Sequence, residues 1–135
     1  MAVQKSAAVR NAELDAIEAT VGTSAVFKFR TGTQPATCAT ADSGTVIASI
    51  TCPSDWMSAA SSGSKALLGT WSDTSADASG TIAHWRLYAS DGTTCHMQGT
   101  ATITGGGGDI TLDAVVVTAG QTVAVTSWTW TAGNA

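Results

Sequence analysis

The spacing of apolar residues changes once along this chain, at Gly22. Before it, Val3, Ala7, Leu14, Ile17 and Val21 recur at intervals that place them on one helical face, with Arg10 as the interruption. The spacing predicts a helix from about Gln4 to Val21, and Gly22 is a natural stop because it tolerates the left-handed backbone after the last carbonyls. Lys5 and Arg10 lie in its first half and Glu13, Asp15 and Glu18 in its second, so the charges oppose the helix dipole. Such a short helix is marginal alone. Leu14 and Ile17 therefore need a docking surface, either on the rest of the chain or on a neighbouring subunit.

After Gly22 the period becomes two. Ala25, Phe27 and Phe29 alternate with Val26, Lys28 and Arg30, which predicts a half-buried strand over 24–31 with a basic outer face. TGTQPATCATADSG reads as a loop, and Val46, Ala48 and Ile50 mark one face of a strand over 45–51. CPSDWMSAASSGS reads as a long polar loop carrying Trp56 and Met57, and KALLGTW as a third strand followed by a turn region. In TIAHWRLYASDGTTCHMQGT, Ala83, Trp85, Leu87 and Ala89 alternate with His84, Arg86 and Tyr88, and Cys95, Met97 and Gly99 with His96 and Gln98. A two-residue Asp91-Gly92 turn would oppose Leu87 to His96, apolar to polar. A three-residue loop, Ser90-Asp91-Gly92, pairs Leu87 with Cys95, Trp85 with Met97 and Arg86 with His96, and is the expected connection. TGGGGD reads as a flexible connector, and DITLD and AVVVT as short strands. In QTVAVTSWTWT the apolar phase slips between Val123/Val125 and Trp128/Trp130. A bulge near Thr126-Ser127 accounts for that, as does a strand leaving one sheet for another surface.

Composition narrows the function. The chain has 135 residues, 44% hydrophobic, room for one domain with one core. Only 12% are charged, against roughly 25% in an average soluble domain; interface cores show the same depletion. The net charge is −4, and the six basic residues are scattered, which argues against nucleic-acid binding. No apolar stretch is long enough to span a bilayer. The first residues contain no apolar core of a secretion signal, so the expectation is cytoplasmic synthesis. Cys38, Cys52 and Cys95 make an odd number without CxxC spacing. They are expected as reduced thiols, with a disulfide between subunits as the alternative. Both chain ends, from Met1 and through the TAGNA tail, are expected to be held in place.

The candidate chemistry is thin. His84 and His96 would be diagonal neighbours on one hairpin face, but Cys95 points away and no third metal ligand is evident. No GxSxG context supports a Ser/His/Asp triad, and GGGGD lacks the lysine and setting of a phosphate loop. No catalytic, cofactor-binding or metal residue is assigned. Among the tryptophans Trp56, Trp71, Trp85, Trp128 and Trp130, Trp85 reads as core, while Trp56 in a loop and Trp128 with Trp130 at the phase break are candidates for anchoring an interface.

NAELDAIEATVGTSA, FRTGTQPA, DASGTIAHWRLYASDGTT and the terminal VAVTSWTWTAGNA together resemble a group of small proteins encoded in the structural regions of tailed bacteriophages and prophages. The resemblance implies a virion component, a capsid decoration or cement protein or a neck- or tail-associated subunit, with no catalytic residues. The expectation is mainly β: one β-sandwich or jelly-roll-like domain over 23–135, preceded by an N-terminal helical arm over 1–22. Partners would be other phage structural proteins and further copies of the chain, with no nucleic acid, membrane or cofactor. Val3, Ala7, Leu14, Ile17, Trp56, Trp128 and Trp130 are the interface candidates. The alternatives are a virion module binding host-surface glycans through Trp56 and, last, a small hydrolase.

Overall fold

The computed structural model describes residues 3–134. The described residues are mainly β with one helix. Helix α1 spans Ala7–Val21. It starts later than the apolar spacing suggests because Ser6 is the N-cap, its hydroxyl accepting from Val9 N–H at 3.3 Å. Gly22 ends it at φ 89°, its N–H donating to Glu18 O.

A five-stranded sheet follows, in the order β2-β1-β6-β7-β8. It comprises β1 (Val26–Arg30), β2 (Val46–Thr51), β6 (His84–Tyr88), β7 (Cys95–Ile103) and β8 (Ile110–Leu112). KALLGTW is not one strand. It contributes to β3 (Ser64–Ala66) and β4 (Trp71–Asp73), separated where Leu68 N–H turns away from the last segment to bond Trp56 O. The final segment is likewise divided: β10 (Val123–Val125) pairs with β4, and β11 (Thr129–Thr131) pairs with β3. The phase slip at Thr126-Ser127 is thus a transfer between ladders. A short ladder of β5 (Gly80–Thr81) and β9 (Val116–Val117) completes the structure.

The core joins Phe27, Phe29, Trp85 and Leu87 of the large sheet to Trp71, Val123, Val125 and Trp130 of the β4/β10 and β3/β11 ladders. Phe27 and Trp85 stack at 5.2 Å, and Trp128 meets Phe27, Trp71, Trp85 and Trp130 at 5.0–5.9 Å, edge to face. Gly99 opposes Trp85 across β6 and β7 because a Cβ there would sit 2.6 Å from the indole. The five tryptophans and two phenylalanines scattered along the chain therefore form one continuous cluster.

Two connections differ from expectation. The β6–β7 hairpin opens with Ala89 N–H donating to Thr94 O and Tyr88 paired with Cys95. A bulge next to this pair then shifts the register so that Leu87 faces Met97, Trp85 faces Gly99 and Arg86 faces Gln98. The expected Leu87–Cys95, Trp85–Met97 and Arg86–His96 pairs do not form. Apolar matching is restored by the bulge instead of by loop length. TGGGGD is a tight reversal. It lets β8 lie parallel to β7, Ala101 beside Ile110, without the usual long crossover. Gly105 and Gly107 take φ of +87° and +79°, and Gly106 N–H closes onto Ile103 O.

The helical arm is docked on its own domain. Leu14 and Val21 are buried and Ile17 packs against the core. Lys65 of β3, only 3% exposed, places Nζ 2.6 Å from Asp15 Oδ1 and 2.7 Å from Glu18 Oε2. Arg10, the residue that interrupted the apolar stripe, donates from Nε to Ala132 O at 2.9 Å, and Asn11 Oδ1 accepts from Gly63 N–H. Three of the charges that oppose the helix dipole, Arg10, Asp15 and Glu18, are thus used for docking. Lys5 N–H donates to Asn134 Oδ1 at 2.7 Å, which ties the two ends of the described chain together. The expectation for Met1 and Ala135 lies outside the described residues.

Candidate functional site

The densest group of ionisable side chains lies on the sheet face opposite the aromatic core. Strand alternation puts Lys28 and Arg30 of β1 beside Arg86 and His84 of β6, with Tyr88 on the same face. Cross-strand pairing sets Lys28 opposite Arg86 and Arg30 opposite His84, an arrangement that is repulsive when all are charged. The sequence suggested that this face meets solvent. It is instead roofed by the long loop 31–45 between β1 and β2. Arg86 is 1% exposed, Arg30 7%, and His84 and Tyr88 are fully buried.

The loop supplies the compensating groups. Asp42 Oδ2 accepts from Arg30 Nη2 at 2.7 Å, while Oδ1 accepts from the Tyr88 hydroxyl at 2.7 Å and from Arg86 Nη1. Arg86 Nη2 donates to the carbonyls of Thr37, Cys38 and Thr40 at 3.0–3.1 Å, and its Nε to Gln98 Oε1. Gln98 Nε2 reaches Pro35 O at 2.7 Å. One guanidinium therefore gathers three loop carbonyls, and one carboxylate bridges two arginines and a tyrosine.

Burial alone would raise the Asp42 carboxyl, but hydrogen bonds from Tyr88 and Arg86 and the charge of Arg30 outweigh it and hold Asp42 below the ordinary carboxylate range. Burial, with the Asp42 hydrogen bond, pushes the Tyr88 hydroxyl up to about 12. Burial, reinforced by the charges of Arg30 and Arg86, lowers His84 despite its bond to Gly32 O. His84 is thus kept neutral, Nδ1 donating to Gly32 O at 2.9 Å and Nε2 sealed in without a partner. Asp42, Arg86 and Tyr88 are all engaged in holding the loop. Grooves of about 230, 540 and 310 Å³ lie elsewhere, beside β8–β10, at the helix C-terminal end, and between α1 and the β7 bulge.

His84 and His96 are not neighbours. His84 pairs with Thr100 under the loop, while His96 lies in the bulge beside Met97 and lines the groove against Ile17. Among the described residues no group of three or more His, Cys, Asp or Glu side chains could hold a metal ion, and no helix is long and apolar enough to cross a membrane.

Of the interface candidates, Val3 is 76% exposed and Ala7 is exposed at the helix start. Leu14 is in the core and Ile17 is half-buried. Trp56, placed in an exposed loop by its polar neighbours, is fully buried, and its indole N–H donates to Gly22 O at 2.9 Å. Trp130 is 7% exposed and Trp128 half-buried within the aromatic cluster. Leu14, Trp56 and Trp130 therefore serve this chain's own packing, the indoles finding their apolar partners among distant segments. Cys52 is buried after β2, whereas Cys38 of the loop and Cys95 of β7 are half-buried, and all three are free thiols.

The outward face of α1 is unusual in composition. Ala8, Ala12, Ala16 and Ala19 fall within one stripe and are exposed, flanked by Val9 at 48%. The helix's charged residues are all occupied within the chain: Arg10 with Ala132 O, Glu13 with Lys5, and Asp15 and Glu18 with Lys65. No protein-family model matches this chain, and no curated protein and no solved structure matches it either.

Proposed function

We propose that this chain is a structural subunit of a tailed-bacteriophage particle, a capsid decoration or cement protein or a neck- or tail-associated subunit. It acts through protein–protein contacts, not as an enzyme, and is assembled in the bacterial host cytoplasm into a homo-oligomer on the virion. Its domain is a β-sandwich of jelly-roll type, the β3/β11 and β4/β10 ladders forming the layer opposite the five-stranded sheet. The sequence resemblance motivates this reading. The observation that carries it is the alanine-faced helix. A solvent-facing helix ordinarily carries unpaired charges outward, whereas α1 presents Ala8, Ala12, Ala16, Ala19 and Val9, and its exposed Glu13 and Asp15 are each paired to a lysine of the same chain. Small apolar side chains allow a neighbouring backbone to approach closely with little desolvation cost. The glycan-binding alternative loses its motivating residue, since Trp56 is inside.

The test has two parts. Particles of the phage or prophage that encodes the chain should contain it in stoichiometric amount. In the isolated protein, Ala12→Arg and Ala16→Arg should leave the far-UV and near-UV circular dichroism unchanged and lower the native mass. Absence from particles, together with a monomeric wild type at every concentration, overturns the proposal.

A further inference from the structure

Cys38 and Cys95, both half-buried, come from the two sides of the contact between loop 31–45 and the β6–β7 hairpin. Cys95 pairs across the strands with Tyr88, so their side chains stand on the same face of the sheet. That face lies under the loop, because the Tyr88 hydroxyl bonds Asp42. Cys38 belongs to the loop, and its carbonyl accepts from Arg86 Nη2 at 3.1 Å. Arg86 is two residues from Tyr88 on the same face, so the Cys38 backbone is fastened over the strand that pairs with Cys95. Both cysteines are free thiols in the structure, and the Cys95 thiol donates to Met97 O at 3.4 Å. Cys95 also sits at the β7 bulge, where the ladder is already interrupted and the backbone can adjust. Cys52 has no part in this arrangement. It is 2% exposed in the core, where burial pushes its thiol up to about 12.

We infer that Cys38 and Cys95 form an intrachain disulfide that staples loop 31–45 to the β6–β7 hairpin, while Cys52 remains a thiol. The oxidant is a small-molecule disulfide. Cys38 lies on the outer loop, and its thiolate attacks the reagent, forming a mixed disulfide and releasing one reduced thiol. Cys95 then loses its proton and attacks the Cys38 sulfur, which expels the second reduced thiol. The protein gives up two protons and two electrons, and the reagent's S–S bond takes them. Burial together with the Cys38 contact pushes Cys95 up to about 12, so this second step is slow at neutral pH and faster in mild alkali. The staple is independent of the virion reading. If that reading also holds, the bond forms on release from a reducing cytoplasm.

The experiment incubates the reduced protein with oxidised glutathione at pH 8, blocks the remaining thiols and maps the bonds by mass spectrometry. Trypsin leaves Cys38 and Cys52 on one peptide, so a second cleavage before Asp42 is needed to separate them. Wild type and Cys52→Ser should each give Cys38 linked to Cys95 within one chain, with no covalent bond between chains. Cys38→Ser and Cys95→Ser should retain both remaining thiols. Amide exchange over 31–45 should slow at least several-fold on oxidation in wild type and Cys52→Ser only. Three free thiols at equilibrium, a link to Cys52, or a bond between chains in folded wild-type protein each overturns the inference.

Discussion

Replacing Asp42 with alanine probes the loop clasp most directly. The substitution removes the acceptor shared by Arg30, Arg86 and Tyr88 and leaves two guanidinium groups and a hydroxyl under the loop. Breaking a fully buried ion pair by removing one partner costs about 3–5 kcal/mol. Two features reduce that figure. The Asp42 side chain is 37% exposed, so water replaces part of what is lost. Arg86 also keeps Gln98 Oε1 and three loop carbonyls. The expected cost is therefore about 2–3 kcal/mol. With about 2 cal/mol/K of unfolding entropy per residue over 135 residues, the midpoint should fall by roughly 7–11 °C. Calorimetry of the reduced protein measures this, and amide exchange over 31–45 should accelerate more than exchange in α1. Glu13→Ala is the control, because its partner Lys5 is also partly exposed; it should cost no more than about 0.5 kcal/mol. In an Arg86→Leu background, Asp42→Ala should cost less than it does alone. A loss below about 0.5 kcal/mol for Asp42→Ala would mean that Asp42 does not hold the loop in solution.

Further consequences follow from burial and backbone geometry. His84 is neutral and fully buried, with its folded pKa below the ordinary 6.5. The unfolded chain takes up a proton first as pH falls, so stability should decline below about pH 6.5, ahead of the loss from Asp42 protonation below its ordinary 3.8. Urea titrations at pH 7.5, 6 and 5 should show this decline in wild type and less of it in His84→Gln. Leu14→Ala should destabilise by about 2–3 kcal/mol, since the helix is part of the core; an unchanged denaturation midpoint would show α1 to be a detachable arm. Gly105→Ala, at φ +87° with open space around it, should cost about 1 kcal/mol through the backbone alone. Gly106→Ala should cost more, because its Cβ would lie 2.8 Å from Thr102. Equal melting temperatures for the two glycine variants would contradict the tight reversal.

The periodicity of this sequence determines its mainly β class, the change of period at Gly22, the inward face of the helix through Leu14, Ile17 and Val21, and the break in the last strand at Thr126-Ser127. These are local consequences of where apolar side chains recur, and a chain must honour them in any compact fold. The destination of each polar face was settled only by tertiary structure. Nothing local shows that loop 31–45 folds back over Arg86 and His84, because the partners, Asp42 and the carbonyls near Cys38, are distant in sequence. Lys65 gathers Asp15 and Glu18 for the same reason, turning an unfavourable dipole arrangement into a docking contact. Trp56 has polar neighbours in the chain and aromatic ones in space. The hairpin register followed apolar matching, as the alternation requires, but through a bulge, which one residue of slack permits as readily as a different loop length. Periodicity sets what a segment must bury; only the assembled chain decides what is available to cover the other side.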